Sequence, residues 1–177
     1  MRSLILLAAT VGVAAAARGE EVALRAGMIG LDTSHAPAFT KLLNDPDAPA
    51  ELSGCRVVVA TPAGSPDLEA SVSRLQKFTN EVRDLGVEIV DSVDDVVARC
   101  DVVLLESVDG RVHLEQVLPV LRAGKPVFVD KPLAASLVDA VAIVDTAKRL
   151  GVPLFSSSAL RFSPGVNAGR KVQRAAG

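Results

Sequence analysis

Lys131 is the side chain of this sequence best placed for proton chemistry. It follows Asp130 at the end of an apolar run, and an earlier apolar run leads into a polar loop that contains Ser107. A lysine beside a reacting oxygen can hydrogen-bond to it and assist proton transfer. His113 begins the helical pattern between the two runs. The alternative for Lys131 is a turn lysine paired with Asp130, and for His113 it is helix capping or solvation.

The two apolar runs, residues 101–105 and 126–129, have the composition of buried parallel strands. Between them, apolar residues at helical spacing predict a helix, which Gly124 ends. A strand, a helix and a strand in this order form a βαβ crossover unit. Its polar residues follow the carboxyl ends of the strands, which is where open α/β sheets bind their ligands.

A second polar cluster follows the first predicted strand, residues 24–29. Gly30 stands at the first position of the dinucleotide fingerprint G-x-G-x-x-G, whereas Asp32 and His35 replace the other two glycines. Ser34 or Asp32 is predicted to cap the helix that begins here, and the free amide groups of a helix start attract an anion. A structural or exposed histidine is the alternative for His35. The candidate phosphate-binding residues are Gly30, Asp32, Thr33, Ser34 and His35.

Three segments together resemble the Gfo/Idh/MocA family of nicotinamide-dependent sugar and inositol oxidoreductases. They are His113, the Ala-Gly-Lys-Pro-Val segment at 123–127, and the Asp-Lys-Pro tripeptide at 130–132. That family has a histidine at the helix start, an AGK-type turn and a Glu-Lys-Pro tripeptide after the strand. Asp130 replaces the glutamate here, so the carboxylate is kept with one methylene fewer. The resemblance covers about residues 24–162 and no second domain.

The resemblance implies hydride transfer between NAD or NADP and a sugar or polyol. It places Lys131 beside the nicotinamide and the reacting hydroxyl, as a catalytic residue, and it makes His113 a second catalytic candidate. It also implies that Ser107, Asp130 and Lys131 contact the cofactor. The match to a nicotinamide-binding domain is partial. Such domains often have an acid near the end of their second strand that binds the ribose hydroxyls, whereas here the first acid after the second predicted strand is Asp67.

The chain divides into three predicted segments. Residues 1–20 have a basic start, a short apolar core and small residues, which is the pattern of a signal peptide and predicts export to a periplasmic or extracellular location. A structural apolar segment is the alternative. Residues 21–157 are predicted to form an α/β domain with a doubly wound, mainly parallel, Rossmann-like sheet. Residues 158–177 form a basic tail.

The family that the chain resembles continues into a second α+β domain, which we expect this chain to lack. An oxidoreductase domain that is incomplete as an enzyme is therefore one expectation. The other is an exported, non-catalytic module that binds a ligand or a protein through a degenerate nucleotide site. An apolar face near the last strand is also expected, and a second copy or a partner protein would cover it.

Composition narrows the ligands further. The net charge is −2 and the only aromatic residues are five phenylalanines, so no nucleic-acid partner is expected. The two cysteines have no metal-ligand spacing, and the sequence predicts no metal site. No membrane contact is expected once the signal peptide has been removed. The expected ligands are a small-molecule substrate and a nicotinamide cofactor.

Overall fold

Strands and helices alternate along residues 23–164, which are the residues that the computed structural model describes. The strands are β1 (Leu24–Ile29), β2 (Cys55–Thr61), β3 (Glu88–Ile89), β4 (Val102–Leu105), β5 (Val127–Asp130) and β6 (Leu154–Ser157). The helices are α1 (His35–Leu43), α2 (Glu69–Asp84), α3 (Val93–Arg99), α4 (His113–Arg122) and α5 (Leu137–Leu150), followed by a short 3-10 helix at Ala159–Phe162.

The six strands form one sheet in the order β3-β2-β1-β4-β5-β6, and every neighbouring pair is parallel. The predicted doubly wound, Rossmann-like sheet is therefore confirmed. The chain reverses its direction of travel across the sheet between β1 and β4. In such sheets ligands bind in the crevice outside the carboxyl ends of the strands at this reversal.

Alternate residues of the strands face two separate cores. Ala26 and Met28 of β1 pack with α1 and α2, in a cluster that includes Ala36 and Val82. On the other face, Ile29 packs in a larger cluster with residues of α3, α4 and α5. Both faces of the central strands are buried, which explains why their sequences are continuous apolar runs.

Two helix starts are capped by serine side chains. Ser92 accepts a hydrogen bond from the Asp95 amide at the start of α3, and Ser136 accepts one from the Asp139 amide at the start of α5. A left-handed glycine, Gly151 at φ 67°, ends α5.

The buried faces of the longer helices differ from the apolar pattern. The sequence places Val72 on the inner face of α2, yet Val72 is exposed, and Ser71 and Thr79 are buried with Val82. Their hydroxyl groups are satisfied locally, since Thr79 donates to the Leu75 carbonyl and Ser71 accepts from the Ser65 amide. A polar residue with a local partner can therefore occupy an inward position.

In α5 and α1, too, the buried residues differ from the apolar pattern of the helix. Leu137 and Val141 belong to the apolar pattern of α5 but are exposed, whereas Ile143 and Ala147 are buried. Leu42 of α1 is also exposed.

Among the described residues, no helix is long and apolar enough to cross a membrane. The predicted signal peptide and most of the basic tail lie outside the described residues.

Candidate functional site

The polar residues that follow β1, β4 and β5 meet at one edge of the sheet. Gly30 ends β1 with a positive φ of 87°, a conformation that favours glycine. A Cβ atom at Gly30 would lie 2.4 Å from the Ser107 amide nitrogen. This glycine therefore lets the loop after β1 approach the loop after β4, and the two loops form the floor of the crevice.

Asp32 is fully buried and joins these two loops. Its Oδ1 accepts a hydrogen bond of 3.0 Å from the Val108 amide, and its Oδ2 has no partner. A Cβ atom at Gly64 would lie 3.5 Å from Oδ2, so this oxygen faces the loop after β2. The prediction that Asp32 or Ser34 caps α1 is wrong: Ser34 occupies the capping position without a side-chain bond. Thr33 is buried beside them, and its Oγ1 accepts from the His35 amide at 3.4 Å.

His35 and Asp130 form a short side-chain contact at this edge. His35 Nδ1 donates to Asp130 Oδ2 at 2.6 Å, and the Asp130 side chain is only 5% exposed. Lys131 Nζ lies 3.8 Å from the same oxygen, and its side chain is about half exposed. Asp130 is thus held between an imidazole and an ammonium group, and Lys131 keeps contact with solvent in the crevice.

Glu106 is the residue of this site that the sequence did not assign. It is fully buried at the end of β4, and neither carboxyl oxygen has a hydrogen-bond partner. Burial, and then the neighbouring charge of Asp130, raise the pKa of Glu106 to about 9. Desolvation disfavours the charged form of a carboxyl group, so Glu106 is a neutral acid near neutral pH. An acidic residue directly after an apolar strand was the signal in the sequence.

His113 is fully buried beneath the same loop. Its Nε2 lies 2.7 Å from the Ser107 carbonyl oxygen, and its Nδ1 lies 3.3 Å from the Leu133 carbonyl oxygen. The Nε2 contact is the shorter of the two, and a ring nitrogen that carries a proton donates to the carbonyl oxygen it faces. Both ring nitrogens face the backbone and no part of the ring reaches the crevice. This geometry favours a positioning role for His113, in holding the Ser107 loop, over the predicted catalytic role.

A second charged cluster closes the site on the side of β2. The Arg111 guanidinium contacts both oxygens of the buried Asp109 and both oxygens of Asp67. The hydrogen bond from Arg111 holds the pKa of Asp109 well below its usual range. Arg111 also lowers the pKa of Asp67. The first acid after β2 is therefore engaged by an arginine of the loop after β4, a pairing that the sequence did not reveal.

Buried polar atoms without partners are concentrated at this edge of the described structure. Native proteins pair nearly all such atoms with protein, water or ligand. Ser107 Oγ and Ser157 Oγ are two of these unpartnered atoms. Ser157 lies in β6 and pairs with Asp130 of β5 in the strand register. The unpartnered atoms that follow β1, β4 and β5 or end β6 are Asp32 Oδ2, both Glu106 oxygens, Ser107 Oγ and Ser157 Oγ, and the others are Ser65 Oγ after β2 and Gln116 Oε1 in α4. Their location indicates a site that is built for a polar ligand.

Comparison with known proteins agrees with this geometry. Residues 24–158 match the family described as an oxidoreductase family with an NAD-binding Rossmann fold. The chain belongs to the Gfo/Idh/MocA oxidoreductase family. It is 33% identical over 131 residues to an inositol 2-dehydrogenase of Cereibacter sphaeroides, covering 72% of this chain and 34% of that protein. It is 41% identical over 73 residues to a 1,5-anhydro-D-fructose reductase of Ensifer adhaerens, covering 41% of this chain and 22% of that protein.

Solved structures of the family share the fold. The myo-inositol dehydrogenase of Lactobacillus casei, in complex with NAD(H) and myo-inositol, matches with a TM-score of 0.61 and 24% identity. The match covers 86% of this chain and 42% of that one. A scyllo-inositol dehydrogenase of the same organism, with NAD(H) and scyllo-inositol, gives a TM-score of 0.61 at 20% identity, covering 86% and 41%. The present chain spans about a third of the length of the curated inositol dehydrogenases that it matches.

Family membership agrees with the predicted nicotinamide cofactor, because the family's domain is an NAD-binding Rossmann domain. The main chain fits such a cofactor at Gly30, which keeps the tight turn. At the start of α1, the His35 amide is bonded to Thr33 Oγ1 and the Ala36 amide to the Thr33 carbonyl oxygen. The carboxyl groups of Asp32 and Glu106 repel a negatively charged cofactor less than two free carboxylates would. Asp32 is buried and bonded to an amide, and the raised pKa of Glu106 keeps that group neutral.

Proposed function

We propose that this chain is the cofactor-binding domain of an NAD(P)-dependent oxidoreductase that acts on a sugar or polyol. The observation that carries the proposal is the set of unpartnered buried polar atoms at the switch point of a family sheet, with Lys131 beside them. The inositol dehydrogenases among its relatives support the substrate class. When bound, the cofactor supplies the hydride chemistry, and the protein supplies position and electrostatics.

The residues of the site divide by location. Gly30, Thr33 and Ser34 would hold the phosphates at the start of α1. Ser107 and Lys131, at the ends of β4 and β5, would contact the nicotinamide side of the cofactor. Lys131 Nζ is a solvent-accessible proton donor at this edge, and it lies 3.8 Å from Asp130 Oδ2.

Calorimetry with NAD⁺, NADH, NADP⁺ and NADPH tests the cofactor site. Wild type should bind one of these pairs, and Asp32→Asn should bind it more tightly. The substitution removes a negative charge near the phosphates but keeps the oxygen that accepts from the Val108 amide. Binding by neither protein would contradict the proposal and would favour the exported, non-catalytic module that binds another ligand.

The role of Lys131 is tested by turnover with inositols and reducing sugars. Lys131→Met should lower turnover more than it lowers cofactor affinity, because a proton-transfer group acts in the reaction and not in cofactor binding. Lys125→Met is the matched control, since Lys125 donates to the Cys100 carbonyl at the opposite edge of the sheet. Equal losses of affinity and turnover in Lys131→Met would identify Lys131 as a binding residue only.

Export and self-association remain separate proposals. The pattern of residues 1–20 supports a signal peptide, and the intact mass of protein from its native host would reveal whether the segment is removed.

Phe155 of β6 is 58% exposed and lies beside Val102, Leu104 and Phe128 in an open apolar cavity on one sheet face. This face supports the predicted homo-oligomer or partner, which sedimentation analysis of the purified chain would detect.

A further inference from the structure

We propose that His35, Glu106 and Asp130 form a binding site for one divalent transition-metal ion at the carboxyl edge of the sheet. Each residue offers one ligand atom, and these atoms all lie within 4.8 Å of one another. His35 comes from the start of α1, Glu106 from the end of β4 and Asp130 from the end of β5. Helix α1 and the neighbouring strands β4 and β5 therefore position the three ligands.

Glu106 distinguishes this site from an ordinary acidic cluster on a surface. It is fully buried, neither of its oxygens has a partner, and its carboxyl group points into the cluster. A buried polar group without a hydrogen bond costs about 1–3 kcal/mol, so its presence requires a compensating interaction. Coordination of a cation provides one directly.

The donor set selects the class of metal. One imidazole nitrogen and two carboxylates suit Zn²⁺, Mn²⁺ or Fe²⁺, whereas Mg²⁺ and Ca²⁺ prefer oxygen ligands alone. Metal binding would release the Glu106 proton, and the two ionised carboxylates would then balance the charge of a divalent ion. Metal–ligand bonds of about 2.0–2.2 Å in a tetrahedral site separate ligand atoms by roughly 3.4 Å. The 2.6 Å contact between His35 and Asp130 would open slightly, and Glu106 would move inward.

The sequence contained no sign of this site, because its ligands are far apart in the chain and have no motif spacing. The site does not depend on the proposed cofactor function, since metal binding is measured on the protein without any dinucleotide. Lys131 adjoins the cluster through Asp130 and is not a ligand.

The test uses the untagged chain of 177 residues after treatment with a chelator. Calorimetric titrations with ZnSO₄, MnCl₂ and MgCl₂ should give one equivalent of Zn²⁺ and of Mn²⁺ and no binding of Mg²⁺ at the same concentrations. The chain has only two histidines, so their imidazole NMR signals can be followed separately. Zn²⁺ should shift the signals of His35 and leave those of His113 unchanged, because the His113 ring is bonded to the backbone.

Glu106→Gln preserves the shape of the buried side chain and should weaken Zn²⁺ binding more than about 100-fold, since even outer-shell changes cost 10–100-fold. Asp32→Asn is the matched control: it removes another buried carboxylate of the same edge, one that faces the loop after β2, and should keep the affinity. Failure of wild type to bind Zn²⁺ or Mn²⁺ would overturn the proposal and leave a hydrogen-bonded cluster only. Binding that survives in Glu106→Gln, or that shifts His113 and not His35, would also overturn it. Circular dichroism would check that each variant folds, and if Glu106→Gln does not, the wild-type NMR titration decides.

Discussion

His35 Nδ1 lies 2.6 Å from Asp130 Oδ2 and joins the first residue of α1 to the last residue of β5. Strand β4 lies between β1 and β5 in the sheet, so this bond crosses the end of β4, where Glu106 stands. Ligand-type atoms of His35, Glu106 and Asp130 all lie within 4.8 Å of one another, so the bridge adjoins the Glu106 carboxyl group. Burial raises the pKa of Glu106 to about 9, and the neighbouring charge of Asp130 adds to the shift.

The bridge should be measurable as a coupling energy. In chelator, the double-mutant cycle of His35→Ala and Asp130→Ala should give a coupling of about 1–3 kcal/mol in the free energy of unfolding, as for hydrogen bonds to charged groups. Urea unfolding followed by circular dichroism provides the four values. Additive losses from the two substitutions would mean that the contact does not stabilise the fold.

Removal of the buried acid should stabilise the metal-free protein. Glu106→Leu replaces a fully buried carboxyl group without partners by an apolar side chain of similar size. We expect the free energy of unfolding in chelator to rise by about 1–3 kcal/mol, the usual cost of an unsatisfied buried polar group. The same variant should lose metal binding. A less stable Glu106→Leu protein would show that the carboxyl group has a partner in the folded state.

The apolar runs predicted the sheet well, because burial on both faces leaves a clear signal in β1, β4 and β5. The faces of α2 and α5 were predicted less well. Polar side chains such as Thr79 satisfy themselves against their own helix and then occupy inward positions, which a pattern of apolar residues does not reveal.

The sequence predicted the edge of the sheet at which the candidate site lies, but it did not predict the side-chain contacts within the site. The position of each residue after a strand placed Gly30, Ser107 and Lys131 together correctly. The pairings of His35 with Asp130 and of Arg111 with Asp67 join loops that are distant in the chain, and no local spacing encodes them. The carbonyl acceptors of His113 likewise lie in loops that the sequence could not orient, so its contacts were not predicted.

The ion pair between Asp109 and Arg111 should make stability depend on acid pH. Arg111 holds the pKa of the folded Asp109 well below its ordinary value of 3.8. The folded state therefore binds fewer protons than the unfolded state in acid, and this stabilisation is complete above pH 3.8 and is lost as the pH falls below it. Asp109→Asn should lower the urea midpoint near neutral pH, and its difference from wild type should shrink in acid. Asp67→Asn, at an exposed partner of the same arginine, should have a smaller effect.

Substitution of Gly30 tests the close approach of the two loops that form the crevice floor. Gly30 and Gly86 have nearly the same positive φ, 87° and 85°, but only at Gly30 would a Cβ atom meet a neighbour, the Ser107 amide nitrogen at 2.4 Å. Gly86→Ala should therefore cost only the backbone strain of about 1–2 kcal/mol. Gly30→Ala should cost a further 1–3 kcal/mol, roughly the cost of overpacking, because the backbone at Gly30 and at Ser107 has to move apart to make room for the Cβ atom. Urea unfolding of the two variants separates the terms, and equal losses of stability would mean that the loop after β4 retreats without cost and that Gly30 serves the turn alone.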